Sequence, residues 1–196
     1  MLNIQVLPLG DYETNCYIVS LPSSQKCVVI DPGYNADLIE DKLSALHLEC
    51  VAILLTHGHF DHVGAVRDLA ATTGCAVYIR PEETSLPPQL TAGSLYYTAF
   101  YPANGQLSVA GLDFTILHTP GHTPGSVCLI TEDALFSGDT LFAGSCGRTD
   151  FPGGDPRQMT ASLGLLKNLP DHLRVFPGHY NASTIGYERK HNFYFR

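Results

Sequence analysis

Apolar residues recur along the chain in short alternating or β-branched runs. These predict strands over residues 4–7, 15–19, 26–30, 51–55, 76–79, 106–109, 114–117, 127–131, 134–136 and 174–176. A different period governs residues 35–46, where Leu38, Ile39, Leu43 and Leu46 return at steps of three and four and predict a helix. A second helix is expected over 63–72, closed by Gly74. A third is expected over 156–169, where Asp155-Pro156 supplies a cap and a first-turn proline. A short last helix is expected over 183–190. Residues 87–104, rich in tyrosine, follow no period and are expected to be irregular and to lie over a functional site. In each half, strands precede helix–strand units. Phe114–His122 and Arg174–His179 both run from a strand into Pro-Gly-His, a faint internal echo.

Composition narrows this picture. The 196 residues, 44% apolar and 15% charged, suit one well-buried domain spanning 1–196, and no linker breaks them. Eleven basic against nineteen acidic residues leave a net charge of −8, which repels phosphate backbones, so no nucleic-acid partner is expected. No apolar run approaches the ~20 residues of a membrane span, and no membrane association is expected. The opening residues lack a basic, apolar secretory signal. Six scattered cysteines without a CxxC pair read as free thiols in a reducing cytoplasm.

The chemistry concentrates after the strand at 51–55, in Thr56-His57-Gly58-His59-Phe60-Asp61-His62. Extended backbone puts His57 and His59 on one side, because side chains alternate with period two. The chain then turns and offers Asp61 and His62 at the start of a helix. One histidine at a strand end is an ordinary polar loop residue. Four ligand-type residues within six positions are the imidazole and carboxylate set that borderline divalent metals prefer. His122, Asp139 and His179 each follow a predicted strand, where α/β architectures gather their binding loops. Singly each is a turn residue; together they complete a larger ligand set.

This constellation resembles the metallo-β-lactamase superfamily: His57–His62 matches its HxHxDH motif, and His122, Asp139 and His179 match the remaining ligand positions in order. The resemblance implies an α/β fold, a four-layered αββα sandwich, with the site along one edge of two sheets. It also implies two divalent metal ions, zinc first and iron or manganese as alternatives. His57, His59 and His122 would hold one ion, Asp61, His62 and His179 the other, with Asp139 bridging. Asp61 and Asp139 are then the carboxylates expected to take part in catalysis.

Within the superfamily, residues 137–142 and Ser145-Cys146-Gly147-Arg148-Thr149-Asp150-Phe151-Pro152 are similar to the glyoxalase II group, especially its short bacterial members. That likeness implies hydrolysis of a small thioester such as S-lactoylglutathione. It offers Arg148 and Tyr180 as substrate-binding residues. The sequence reaches Arg196 without the C-terminal helical domain of glyoxalase II proper, so weak glutathione recognition is expected. Two alternatives share the fold. Persulfide dioxygenases carry a very similar Cys-Gly-Arg-Thr-Asp-Phe stretch and use one iron held by two histidines and an aspartate. Lactone or phosphoester hydrolysis could use the same two metals. His118, Thr56 and Asp31 are candidates to orient ligands, whereas His47, His172 and His191 read as solvated. Tyr96, Tyr97 and Tyr101 either wall a pocket or cover core, and Cys146 is a packing residue near the site.

Overall fold

The computed structural model describes residues 2–91 and 93–195. Its first sheet runs in chain order: β1 (Asn3–Leu9), β2 (Thr14–Ser20), β3 (Lys26–Ile30), β4 (Glu49–Leu54), β5 (Ala76–Ile79) and β6 (Ala99–Phe100). β1, β2 and β3 pair antiparallel, and β3 to β6 pair parallel. Parallel neighbours need crossovers. α1 (Ala36–Ala45) makes the first, and α2 (Phe60–Val63) with α3 (Val66–Thr73) makes the second. The second sheet begins with an antiparallel series, β7 (Gln106–Val109), β8 (Leu112–His118), β9 (Val127–Thr131) and β10 (Ala134–Gly138). A small hairpin, β11 (Leu141–Phe142) and β12 (Ser145–Cys146), and helix α4 (Pro156–Lys167) follow. β13 (Arg174–Pro177) then returns parallel to β10, β14 (Ser183–Thr184) closes the edge, and α5 (Ile185–His191) packs behind.

Strand alternation decides the layers. On β3, Cys27 and Val29 face Ile39 and Leu43 of α1 and Val66 and Leu69 of α3. Val28 and Ile30 face the other way, into an apolar layer shared with Phe114, Leu129 and Phe136 of the second sheet. On β9 and β10, Cys128 and Leu135 point outward to Met159, Leu163 and Leu166 of α4 and Ile185 of α5. Three apolar layers therefore separate four structural ones, and the αββα sandwich expected from the sequence is the observed fold. Central strands buried on both faces explain why their sequences run nearly continuously apolar. Phe114 and Phe136 are fully buried, each contributing about 1.5–3 kcal/mol by leaving water.

Most predicted elements stand within a residue or two of their expected ends. The helix expected over 63–72 is instead two pieces, broken at Gly64-Ala65, where the Ala65 amide donates to Pro32 O at 3.0 Å. The last helix starts later than expected, at Ile185, because Ser183 and Thr184 pair with β13. The stretch 87–104, whose residue 92 lies outside the described residues, contributes β6 and one residue of the site cavity, Leu90. Two of its three tyrosines, Tyr96 and Tyr101, cover core. Tyr101 is buried and donates its hydroxyl to Leu55 O at 3.1 Å, Tyr96 packs on the first apolar layer, and Tyr97 stacks on Phe100. The six cysteines are free thiols, all but Cys146 buried. Among the described residues, no helix is long and apolar enough to cross a membrane.

Candidate metal centre

The carboxyl ends of four strands meet at one edge of the sandwich. β4 leads through Leu55-Thr56 to His57 and His59, and His59 is the last extended residue before α2. α2 then presents Asp61 and His62 in its single turn, both buried. β8 leads to His122, β10 to Asp139 and β13 to His179. All seven sequence-predicted ligands are brought together. One ligand atom from each of His57, His59 and His122 falls in a set spanning no more than 4.8 Å, and the same holds for Asp61, His62 and His179. Asp139 lies between the sets, with Oδ2 3.5 Å from His122 Nε2 and 3.6 Å from His179 Nε2, and Oδ1 3.3 Å from His62 Nε2. The polypeptide must pass close to this carboxylate, and Gly178 lets it: a Cβ there would collide with Asp139 Oδ1.

Four of the histidines are tethered through Nδ1, which leaves Nε2 facing inward. His62 Nδ1 bonds Asp31 Oδ2 at 2.9 Å, His122 Nδ1 bonds Arg148 O at 2.7 Å, and His179 Nδ1 bonds Tyr12 O at 3.1 Å. His57 Nδ1 meets Thr56 Oγ1 at 3.0 Å; that hydroxyl donates to Asp31 Oδ2, so it accepts from the ring. Outer partners of this kind fix the tautomer and the aim of metal-binding imidazoles. His59 differs, with Nδ1 turned to His122 Nε2 at 2.8 Å. Thr14 Oγ1 donates to Asp61 Oδ2 at 3.1 Å, an outer partner the sequence did not suggest. Asp31 and Thr56 occupy the orienting roles read from their strand-end positions. His118 instead donates to Pro124 O at 2.8 Å and steadies the loop that carries His122.

Divalent metal fits these residues. Nε2 of His57, His59 and His62 and Oδ1 of Asp139 are buried without a hydrogen-bond partner among the described residues. Each such orphan costs about 1–3 kcal/mol unless something takes up its lone pair. Burial, reinforced by the neighbouring rings, pushes the His57 pKa well down and takes His59 to about 4, so both are neutral donors at pH 7. Burial opposes ionisation of Asp139, yet His62 and the other imidazoles hold its pKa well below the usual carboxylate range. Asp61 is likewise held down, against burial, by its bond from His179 and by His62. His62 and His179 are shifted upward: burial works against their charge, and the carboxylates around them outweigh it. Neutral His57 and His59 and the ionised carboxylates are donors such a cation takes, and His62 and His179 would give up their protons on binding it.

The family model for the metallo-beta-lactamase superfamily matches residues 9–179, a span that contains every one of these ligands. The chain belongs to this superfamily. Among curated relatives, hydroxyacylglutathione hydrolase GloC of Haemophilus influenzae is 35% identical over 97% of both chains. Among solved structures, BLEG-1 B3 metallo-beta-lactamase superposes with a TM-score of 0.92 at 34% identity, covering 100% of this chain and 99% of that one. TTHA1623, solved in a di-iron-bound form, gives 0.86 at 35% identity, covering 97% and 99%. ETHE1 from Myxococcus xanthus gives 0.83 at 28% identity, covering 97% and 83%.

The centre opens into a cavity of about 830 Å³. Its walls are largely apolar, with Phe60, Leu90, Phe142, Phe151 and Phe176 among them. Both proposed substrate-binding residues line it. Arg148 is half-exposed, bonds both Asp150 oxygens at 2.7 Å, and stacks on Phe151 at 3.9 Å. Tyr180 is 75% exposed, in left-handed backbone (φ 67°), with its ring edge-on to Phe142. Tyr12 also lines the cavity and was missed; it lies in the polar turn after β1, where only its aromatic side chain was a signal. Cys146 lines the cavity too, and burial raises its thiol pKa.

Proposed function

We propose that this chain hydrolyses small thioesters of the S-lactoylglutathione type, using two divalent ions held by its two ligand sets. The observation that carries the reading is the complete second set. Asp61, His62 and His179 converge beside Asp139, and each has its own outer partner: Thr14, Asp31 and the Tyr12 carbonyl. Likeness to GloC over nearly the full length of both chains supports the thioester as substrate. The nitrogen-rich first set favours zinc, and the di-iron form of TTHA1623 makes iron the next ion to test, ahead of manganese. Free thiols favour a reducing compartment such as the cytoplasm.

Bound in this centre, two divalent ions would supply Lewis acidity for the carbonyl and a water acidified from pKa 15.7 towards ~7. The chain's residues set the conditions for that chemistry. His57, His59 and His122 would hold one ion and Asp61, His62 and His179 the other, with the Asp139 carboxylate between the two sets. Asp61 and Asp139, kept ionised by surrounding imidazoles, supply the negative charge that would hold the two cations in place and so support the acidified water. The apolar walls exclude bulk water and strengthen these interactions. Arg148 at the rim offers its guanidinium to a substrate carboxylate in exchange for Asp150. A thiol with pKa near ~8.5 leaves as thiolate with little need of a proton donor.

A second reading, the mononuclear iron persulfide dioxygenase, is favoured by the stretch Cys146–Phe151 and by the likeness to ETHE1. The two readings part over His179, which holds an ion only in the binuclear hydrolase. We expect His179→Ala to lose thioester hydrolysis by more than about 100-fold, beyond the ~10–100-fold typical of losing an outer hydrogen-bond partner. Metal content should fall from two ions towards one. The assay carries S-lactoylglutathione, a β-lactam and a lactone, and runs a persulfide beside an oxygen electrode. Strong oxygen uptake by iron-loaded protein that survives His179→Ala would replace the hydrolase with the dioxygenase.

A further inference from the structure

Glu83 lies in the 3-10 turn Pro81–Ser85 after β5, in a polar stretch that reads as solvated surface, yet it is 0% exposed. Its partners are two backbone amides and the side chain of Thr123, the residue after His122. Oε2 accepts from Gly58 N at 2.6 Å, and Oε1 accepts from Gly125 N at 2.6 Å. Gly58 sits between His57 and His59 on the loop after β4. Gly125 lies three residues beyond His122 on the loop after β8. One carboxylate therefore clamps two loops from different sheets, and those loops carry all three histidines of the first set. The fit is close: a Cβ on Gly125 would lie 2.8 Å from Glu83 Cγ and Oε1, so glycine lets the amide reach the carboxylate.

We propose that Glu83 is a positioning residue for the His57, His59 and His122 set. It fixes the separation of the two loops, and with it the affinity of that position for its ion. The proposal rests on reading the set as a metal position. The second set does not use the clamp: Asp61 and His62 stand on α2 and His179 follows β13, and Thr14, Asp31 and the Tyr12 carbonyl hold them. Charge-assisted bonds from two amides make a stiff link, because a carboxylate satisfies both at once. A glutamine cannot: its NH₂ would face one of the two amide N–H groups.

The experiment measures zinc affinity by competition with a chromophoric chelator in two backgrounds. His179→Ala leaves the first set intact, and His122→Ala leaves the second. Adding Glu83→Gln should weaken zinc about 10–100-fold in the first background and by less than about threefold in the second. Glu83→Asp, which keeps the charge but cannot span both amides, should fall between and serves if the glutamine variant folds poorly. Leu163→Ala, a core change behind the second sheet, controls for lost stability and should leave both affinities unchanged. Equal weakening in both backgrounds, or none in the first, overturns the clamp. If His179→Ala binds no zinc although His122→Ala does, the first set is not a metal position and the two-ion reading falls with the clamp.

Discussion

At the scale of single residues, four of the five histidines divide their ring nitrogens between two tasks. A tethered Nδ1 fixes the direction in which Nε2 points, and the tethers come from a carboxylate, a hydroxyl and two carbonyls on different elements. Asp139 is the residue on which both sets depend, with contacts at 3.3–3.6 Å to histidines of each. Asp139→Asn keeps the shape and removes the charge. Loss of one preorganised electrostatic group costs about 10²–10³ in kcat, and that is the fall expected in thioester hydrolysis. The metal-free variant should unfold near the midpoint of the metal-free parent, since Asp139 occupies a loop and not an apolar layer. A kcat equal to the parent's, with both ions bound, would remove Asp139 from the mechanism.

At the scale of elements, helix α4 shows how local sequence and packing divide the work. Asp155 caps it by accepting from the Arg157 and Gln158 amides at 2.7 and 3.1 Å, and Met159, Leu163 and Leu166 bury one face. Asp155→Ala should lower stability in urea unfolding by about 0.5–2 kcal/mol. Gly164, exposed mid-helix with nothing near its absent Cβ, should gain about 0.5–1 kcal/mol as alanine. The cap was legible in the sequence, as were the longer strands and the seven ligand-type residues that the fold brings together. A cap, an alternating run and a ligand at a strand end are local signals, and these residue types have few other reasons to cluster. What was not legible depends on neighbours distant in sequence. The break at Gly64-Ala65 is set by Pro32, and β14 forms because β13 has a free edge. Glu83 and Tyr12 carried no signal, because nothing nearby in the chain announces Gly125 or His179.

At the scale of the whole molecule, the candidate metal centre draws its ligands from both sheets. His57 and His59 of the first set follow β4 while His122 follows β8; Asp61 and His62 of the second follow β4 while His179 follows β13. An ion held by either set, as proposed, would therefore join the first sheet to the second. Direct ties also cross this junction. Tyr17 OH donates to Pro177 O at 2.6 Å, Asn15 Nδ2 to Pro177 O at 3.0 Å, and the Val127 amide to Thr56 O at 2.9 Å. With these and the shared apolar layer in place, the metal-free chain should remain folded. An ion that binds the folded chain and not the unfolded one adds about 4 kcal/mol when its free concentration is a thousand times its Kd. For a domain of this length, each kcal/mol moves Tm by about 2–4 °C, so verified metal removal should lower Tm by roughly 8–16 °C per ion. Readdition of zinc should restore the midpoint, and His122→Ala or His179→Ala should each retain about half of the shift. Calorimetry on matched loaded and stripped samples decides it: an unchanged midpoint would show that the ligands converge without binding metal tightly, and the binuclear reading would fall.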